Sequence, residues 1–122
     1  MGVSFIIASY NCCQYLEQCL NSIEEQTYNG EIEIIICDDC STDGTIELLK
    51  KYSEQGRIVL LQNTKNSGAA QSRNNCIAKA RHEYLAILDA DDYISPDRLE
   101  KQIAVLESDH SVDFFSTGKQ RF

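Results

Sequence analysis

Short, unbroken apolar runs alternate along the chain with stretches whose apolar residues recur at helical spacing. Val3 to Ala8 reads as a first strand. Leu16, Cys19, Leu20 and Ile23 follow the i, i+3, i+4, i+7 rule and predict a helix over about 13–26. Ile32 to Cys37 reads as a second strand, and Thr45 to about Gln55 as a second helix stopped by Gly56. Ile58 to Gln62 is a third strand. Gly68 to Ala80 is a third helix, with Ala69, Cys76, Ile77 and Ala80 expected on its buried face. Tyr84 to Leu88 is a fourth strand. Ser95-Pro96-Asp97 offers an N-cap, a first helical position and a first-turn acid for a fourth helix, which would bury Leu99, Ile103 and Leu106. Val112 to Ser116 is a fifth strand. Continuously apolar strands imply burial on both faces. The strand–helix alternation therefore predicts an α/β fold: an open, mainly parallel, Rossmann-like sheet with helices on both faces, forming one domain over residues 1–122.

Charge narrows the partners. Eleven Lys and Arg stand against 19 Asp and Glu, a net charge of -8. An acidic surface repels phosphate backbones, so nucleic acid is excluded as a partner, and so is an anionic membrane surface. A small anionic substrate would need local neutralisation, which a divalent cation supplies most simply. No apolar run approaches the roughly 20 residues that span a bilayer. Met1-Gly2-Val3-Ser4 lacks the basic start of a signal peptide. The expected location is cytoplasmic, at the inner face of a membrane if a longer parent carries an anchor. The six cysteines, Cys12, Cys13, Cys19, Cys37, Cys40 and Cys76, lie within hydrophobic patterns and read as reduced thiols. Cys37 and Cys40 have C-x-x-C spacing, but no second ligand pair accompanies them for a zinc or redox site.

Ligands of open α/β sheets bind beyond the carboxyl ends of the strands. Here those ends are Ala8-Ser9-Tyr10-Asn11, Asp38-Asp39-Cys40-Ser41-Thr42-Asp43, the Asn63 to Gly68 stretch, and Asp89-Ala90-Asp91-Asp92. Six aspartates are thus expected on one rim. Crowded carboxylates raise one another's pKa unless a cation is present, and all-oxygen ligation suits Mg²⁺ or Mn²⁺. Asp43, followed by Gly44-Thr45, fits a turn or helix cap better than a ligand.

These segments resemble family 2 glycosyltransferases of the GT-A fold. The resemblance rests on Ser9-Tyr10-Asn11, Asp38-Asp39-x-Ser41-x-Asp43-Gly44-Thr45, Asn66-x-Gly68 with Arg73-Asn74, and Asp89-Ala90-Asp91-Asp92 with Ser95-Pro96-Asp97. The motifs come in family order and run from residue 3 to about 106. The resemblance implies a nucleotide-diphosphate sugar donor, commonly a UDP-sugar, and inverting transfer to a carbohydrate or glycolipid acceptor in polysaccharide or glycoconjugate synthesis. It implies that Ala8 and Tyr10 line the nucleotide pocket and that Asp39 accepts a hydrogen bond from the base. Asp89 and Ala90 would lie against the donor, with Asp89 at the ribose or in the metal's water shell. Asp91, in the D-x-D motif, would ligate Mn²⁺ or Mg²⁺ on the diphosphate. Gly68 would let backbone approach the phosphates at the start of the third helix. Arg73 is either a diphosphate ligand or a structural arginine.

Two departures from the family pattern stand out. Ala8 replaces a frequent proline. Family domains are also about twice this long, so the expectation is a truncated domain whose acceptor site and general base lie in an absent second half. Asp92 is a weak substitute for that base. The apolar surface around Phe114 and Phe115 would then favour self-association into a homo-oligomer. A non-catalytic nucleotide-sugar-binding module is the alternative reading. An Mg²⁺-dependent phosphoacceptor receiver, to which Thr117 and Lys119 could contribute, fits less well, because a full strand and helix precede Asp38.

Overall fold

The computed structural model describes residues 2–108 and 115–116, with side chains through residue 105. Its elements, in chain order, are β1 (Gly2–Ser9), α1 (Cys13–Glu24), β2 (Glu31–Asp38), α2 (Thr45–Glu54), β3 (Val59–Gln62), α3 (Ala69–Lys79), β4 (Tyr84–Ile87), α4 (Arg98–Ser108) and β5 (Phe115–Ser116). All strand pairs are parallel, in the order β3-β2-β1-β4-β5. The remainder of the expected fifth strand, the side chains of Leu106, Phe114 and Phe115, and Thr117 and Lys119 lie outside the described residues.

The pleat sorts the central strands onto two cores. Val3, Phe5 and Ile7 of β1 and Ile34 and Ile36 of β2 face one side. There they meet Leu16, Cys19, Leu20 and Ile23 of α1, Leu49 and Tyr52 of α2, and Leu99 and Ile103 of α4. Ile6, Ile35 and Cys37 face the other side and meet Cys76 of α3. Helices therefore cover both faces, as the apolar strands require.

Three local expectations are corrected. The buried residues of α3 are Ser72 and Cys76, whereas Ala69 and Ile77 are exposed. The helix is rotated because the Ser72 hydroxyl accepts a hydrogen bond from Asn63 Nδ2 at 2.9 Å, which turns a polar residue inward. Strand β3 is an edge, with Val59 exposed, rather than a strand buried on both faces. Helix α4 begins at Arg98 and not at Pro96, because the Pro96 carbonyl accepts the Thr27 backbone N–H at 2.8 Å. Ser95 to Asp97 then form a turn, closed by the Arg98 N–H on the Ser95 carbonyl at 3.1 Å. Gln26 locks this junction by donating to the Ser95 carbonyl at 2.7 Å and accepting from the Leu99 N–H at 2.8 Å.

One acid enters the smaller core. Glu33 is buried, which pushes its pKa up. The Arg81 backbone N–H, the Ser4 hydroxyl and the Arg81 guanidinium outweigh that burial and hold it below the ordinary range.

All six cysteines are free thiols. Burial raises the pKa of Cys12, Cys19, Cys37 and Cys76, in Cys19 and Cys76 to about 12, whereas Cys13 and Cys40 are half-buried. A chromogenic thiol reagent at mildly alkaline pH should therefore modify Cys13 and Cys40 first, and all six only after denaturation without reductant. Equally fast modification of Cys19 or Cys76 in the native protein would contradict this packing.

Candidate active site

The chain runs outward from β1 through β2 to β3, then returns to the other side of β1 for β4. The direction of winding therefore reverses between β1 and β4, which pair from Val3↔Tyr84 to Ile6↔Ile87. Such a switch opens a crevice beyond the carboxyl ends of the two strands. A cleft of about 330 Å³ lies there, with Ala8 and Tyr10 from the end of β1 on one wall and Asp89, Ala90 and Asp91 from the end of β4 on another. Asn11 and Cys12 after β1, Tyr15 of α1, and Ala69 and Arg73 of α3 complete it.

The loops around the cleft are fixed by hydrogen-bonded carboxylates, one buried (Asp38) and one exposed (Asp43). Asp38 is fully buried at the end of β2 and accepts from the Ser9 hydroxyl at 3.2 Å, the Ser41 hydroxyl at 2.6 Å and the Ser41 N–H at 2.9 Å. Asn11, in the left-handed region at φ 49°, returns the connection. Its N–H donates to Ser41 Oγ at 2.9 Å and its side-chain oxygen accepts the Thr42 N–H at 2.8 Å. Asp43 accepts from the Thr45 hydroxyl, from the Thr45 N–H at 3.0 Å and from the Cys13 N–H at 3.3 Å, so it ties the starts of α1 and α2 together. The Thr45 bonds, led by its hydroxyl, lower the pKa of Asp43 against a smaller burial effect. This matches the turn or capping role its sequence context suggested.

Asp39 organises the third loop. Its Oδ1 accepts from Asn63 Nδ2 at 3.0 Å and from the Ser67 N–H at 2.7 Å, and its Oδ2 accepts the Gly68 N–H at 3.0 Å. Gly68 has φ +90°, a conformation in which a β-carbon is strained. The anchored residue thus sets where α3 starts and which way it faces. Asn63 is central to this network, since its side-chain oxygen also accepts from Asn75 at 3.0 Å and from the Cys37 thiol at 3.3 Å.

The expected rim of six aspartates therefore divides in two. Asp38, Asp39 and Asp43 accept from backbone, hydroxyl and amide donors that hold the loops. Asp89, Asp91 and Asp92 converge, each offering a carboxylate oxygen within 4.8 Å of the others. Among the described residues this is the one group of three or more His, Cys, Asp or Glu side chains that could hold a metal. The turn that gathers them is closed by the Asp92 N–H on the Asp89 carbonyl at 3.0 Å, and the Cys19 thiol also donates to that carbonyl at 3.8 Å. Asp91 is exposed, Asp89 half-buried and Asp92 buried. Arg73 reaches across from α3, its Nη2 3.3 Å from Asp89 Oδ1.

Sequence reasoning named Ala8, Tyr10, Asp39, Gly68, Arg73, Asp89, Ala90 and Asp91. All but Asp39 and Gly68 line the cleft, and those two anchor the helix that carries Arg73. Tyr15 and Asn63 were missed. Tyr15 sits one residue ahead of the apolar stripe of α1, and that offset is the only signal it gives.

The glycosyl transferase family 2 model matches residues 4–120, and the chain belongs to that family. It is 41% identical over 107 residues to the UDP-Glc:alpha-D-GlcNAc-diphosphoundecaprenol beta-1,3-glucosyltransferase WfaP of Escherichia coli, a match covering 88% of this chain and 42% of WfaP. Its fold is similar to that of Staphylococcus aureus TarS, residues 1–349, crystallised with UDP. The TM-score is 0.80 and the identity 33%, over 90% of this chain and 33% of the other. The mannosyltransferase PcManGT of Pyrobaculum calidifontis, solved with GDP-Man and Mn²⁺, is 29% identical at a TM-score of 0.76, over 85% of this chain and 32% of that one. The chain thus spans less than half the length of these relatives. No helix among the described residues is long and apolar enough to cross a membrane.

The Asp39 network carries a pH signature. The Asn63 amide and the Ser67 N–H, with a smaller part from the Gly68 N–H, lower the pKa of Asp39 from 3.8. A carboxylate with a lowered folded-state pKa contributes stability that is complete above its unfolded value. That stability is lost as pH falls from there through the folded value. Denaturant melts of Asp39→Asn should therefore lose less stability than the parent between mildly acidic pH and about pH 3. Parallel curves would show that the carboxylate does not carry the junction.

Proposed function

We propose that this domain binds a nucleoside-diphosphate sugar, UDP-linked, in the cleft at the β1–β4 switch, through Mn²⁺ or Mg²⁺ held by Asp91 and Asp89. On this reading it is the donor-binding part of an enzyme that transfers the sugar to a carbohydrate or glycolipid hydroxyl. The observation that carries the proposal is the convergence of the Asp89 and Asp91 carboxylates, which line the cleft, with that of buried Asp92, in a cleft also lined by an exposed tyrosine, Tyr10. A diphosphate is repelled by three carboxylates, and a divalent cation turns that repulsion into a bridge. The all-oxygen donor set suits a hard cation that keeps part of its water shell. Bound there, the cation would offset the charge that grows on the departing nucleoside diphosphate.

The chain's own groups take definite parts. Tyr10 offers a ring face to the base. Asp39 spends three of its roughly four acceptor positions on Asn63, Ser67 and Gly68, which leaves one for an imide N–H such as that of uracil. Gly68 opens α3, whose positive end favours phosphate. Asp92, 7% exposed and turned toward the other two acids, is poorly placed to take a proton from an acceptor hydroxyl. The general base is therefore assigned outside this constellation. The same geometry also supports a non-catalytic donor-binding module, and acceptor-dependent turnover of labelled donor separates the two.

Calorimetry should show UDP binding in Mn²⁺ or Mg²⁺ and little in EDTA. Equal affinity in both would remove the metal bridge. Asp91→Asn should weaken nucleotide binding at least ~10-fold, roughly 1.4 kcal/mol. Asp39→Asn should instead reduce the preference for uracil over other bases. Normal, still metal-dependent binding by Asp91→Asn would refute its assignment as the ligand.

A further inference from the structure

We infer that Arg73 is a built-in counter-ion of the carboxylate cluster. In the ligand-free protein it competes with the divalent cation for Asp89, and it yields when a diphosphate enters, so that cation and nucleotide bind cooperatively. The inference rests on the donor-site reading above and adds to it a role that binding alone does not require.

Among the described residues that line the cleft, Arg73 is the one basic side chain. Its Nη2 lies 3.3 Å from Asp89 Oδ1, and the Asp89 oxygens lie within the 4.8 Å grouping with Asp91 and Asp92. The guanidinium is therefore already neutralising one of the three acids. The contact is single rather than bidentate, and both partners retain access to water, at 34% and 47% side-chain exposure. Such a pair is weak and readily exchanged. The Nε–H of Arg73 is buried and has no partner among the described residues, so the present position does not satisfy the group. A planar guanidinium has five donors matched to paired oxygens, and a diphosphate supplies more of these than one oxygen of Asp89.

The position of Arg73 is not accidental. Asp39 fixes the start of α3 through the Ser67 and Gly68 N–H groups, and Asn63 holds Ser72, the residue before Arg73, inward. With Ser72 facing the core, Arg73 faces the cleft. A fixed positive charge beside the cluster opposes a second cation as long as no anion lies between them. When a diphosphate arrives, it attracts both. Each ligand then improves the site for the other, and the coupling is reciprocal.

Binding of Mn²⁺ alone, read from the loss of the free-ion paramagnetic resonance signal, tests this in the parent chain, Arg73→Gln, Arg73→Lys and Asp91→Asn. Coupling energies between two ligands commonly correspond to about 5–150-fold in affinity. Arg73→Gln should therefore bind Mn²⁺ alone at least about 5-fold more tightly than the parent, and UDP should raise its Mn²⁺ affinity by a smaller factor. Arg73→Lys, which keeps the charge, should stay near the parent. It also controls for damage to the fold, which thermal melting of each variant checks. In an Asp89→Asn background the effect of Arg73→Gln should disappear. Unchanged or weaker Mn²⁺ binding by Arg73→Gln, beside Asp91-dependent binding in the parent, would overturn the counter-ion role and leave the donor site standing. Absence of Asp91-dependent Mn²⁺ binding in the parent, with and without UDP, would overturn both.

Discussion

The Asp39 carboxylate holds the Ser67 and Gly68 N–H groups and the Asn63 amide, and the site depends on that junction. It joins the end of β2, the segment after β3 and the start of α3. Helix α3 is the helix that packs on the smaller apolar core, against Ile6, Ile35 and Cys37, and that core alone gives little rotational control. The carboxylate supplies it. A helix turned by one residue position would put Asn74 or Ser72 where Arg73 now meets Asp89. Orientation of the one basic group in the cleft is thus set by an acid that does not touch it.

The aspartates show how one residue type serves two ends. Asp38 and Asp43 are surrounded by donors, and their loops are held by the contacts those donors make. Asp89 and Asp91 lie beside each other and Asp92, and among the described residues Arg73 reaches Asp89 alone. Fully paired carboxylates have little capacity left for a ligand, whereas poorly compensated ones are the groups for which a cation gains most. The division follows from the number of N–H and hydroxyl donors within reach, and the acids themselves are chemically identical.

Much of the fold was legible in the chain because apolar burial, its main driving force, leaves a periodic trace in the sequence. The α1 stripe of Leu16, Cys19, Leu20 and Ile23 is buried as expected, and β1 to β4 fall within a residue of their apolar runs. What escaped reading was decided by polar contacts between distant segments. Ser72 faces inward because Asn63, nine positions earlier, donates to it. The start of α4 moved because Thr27 claims the Pro96 carbonyl, 69 positions on. At the site, the motifs placed Asp89, Asp91 and Arg73 on one cleft. The sorting of six aspartates into anchored and converging sets needed the arrangement of donors in space. Tyr15 escaped because a single aromatic beside an apolar stripe looks like any other helix-surface residue.

The lopsided charge of the cleft also bears on the speed of encounter. Two carboxylates, Asp89 and Asp91, line it beside one arginine, with Asp92 buried behind them, in a chain of net charge -8. The far field of this edge is negative, so a free nucleotide diffusing toward it meets a barrier, and a divalent ion meets an attraction. Electrostatic steering of this kind changes association rates by factors of about 10–10³ and fades as salt screens it. Added monovalent salt should thus speed the approach of the bare nucleotide and slow that of the cation, opposite trends at one opening. If the cleft takes the proposed donor, a nucleotide that arrives already carrying its cation is nearly neutral to this field, and the electrostatic shape of the edge would select the complexed form kinetically before any contact is made.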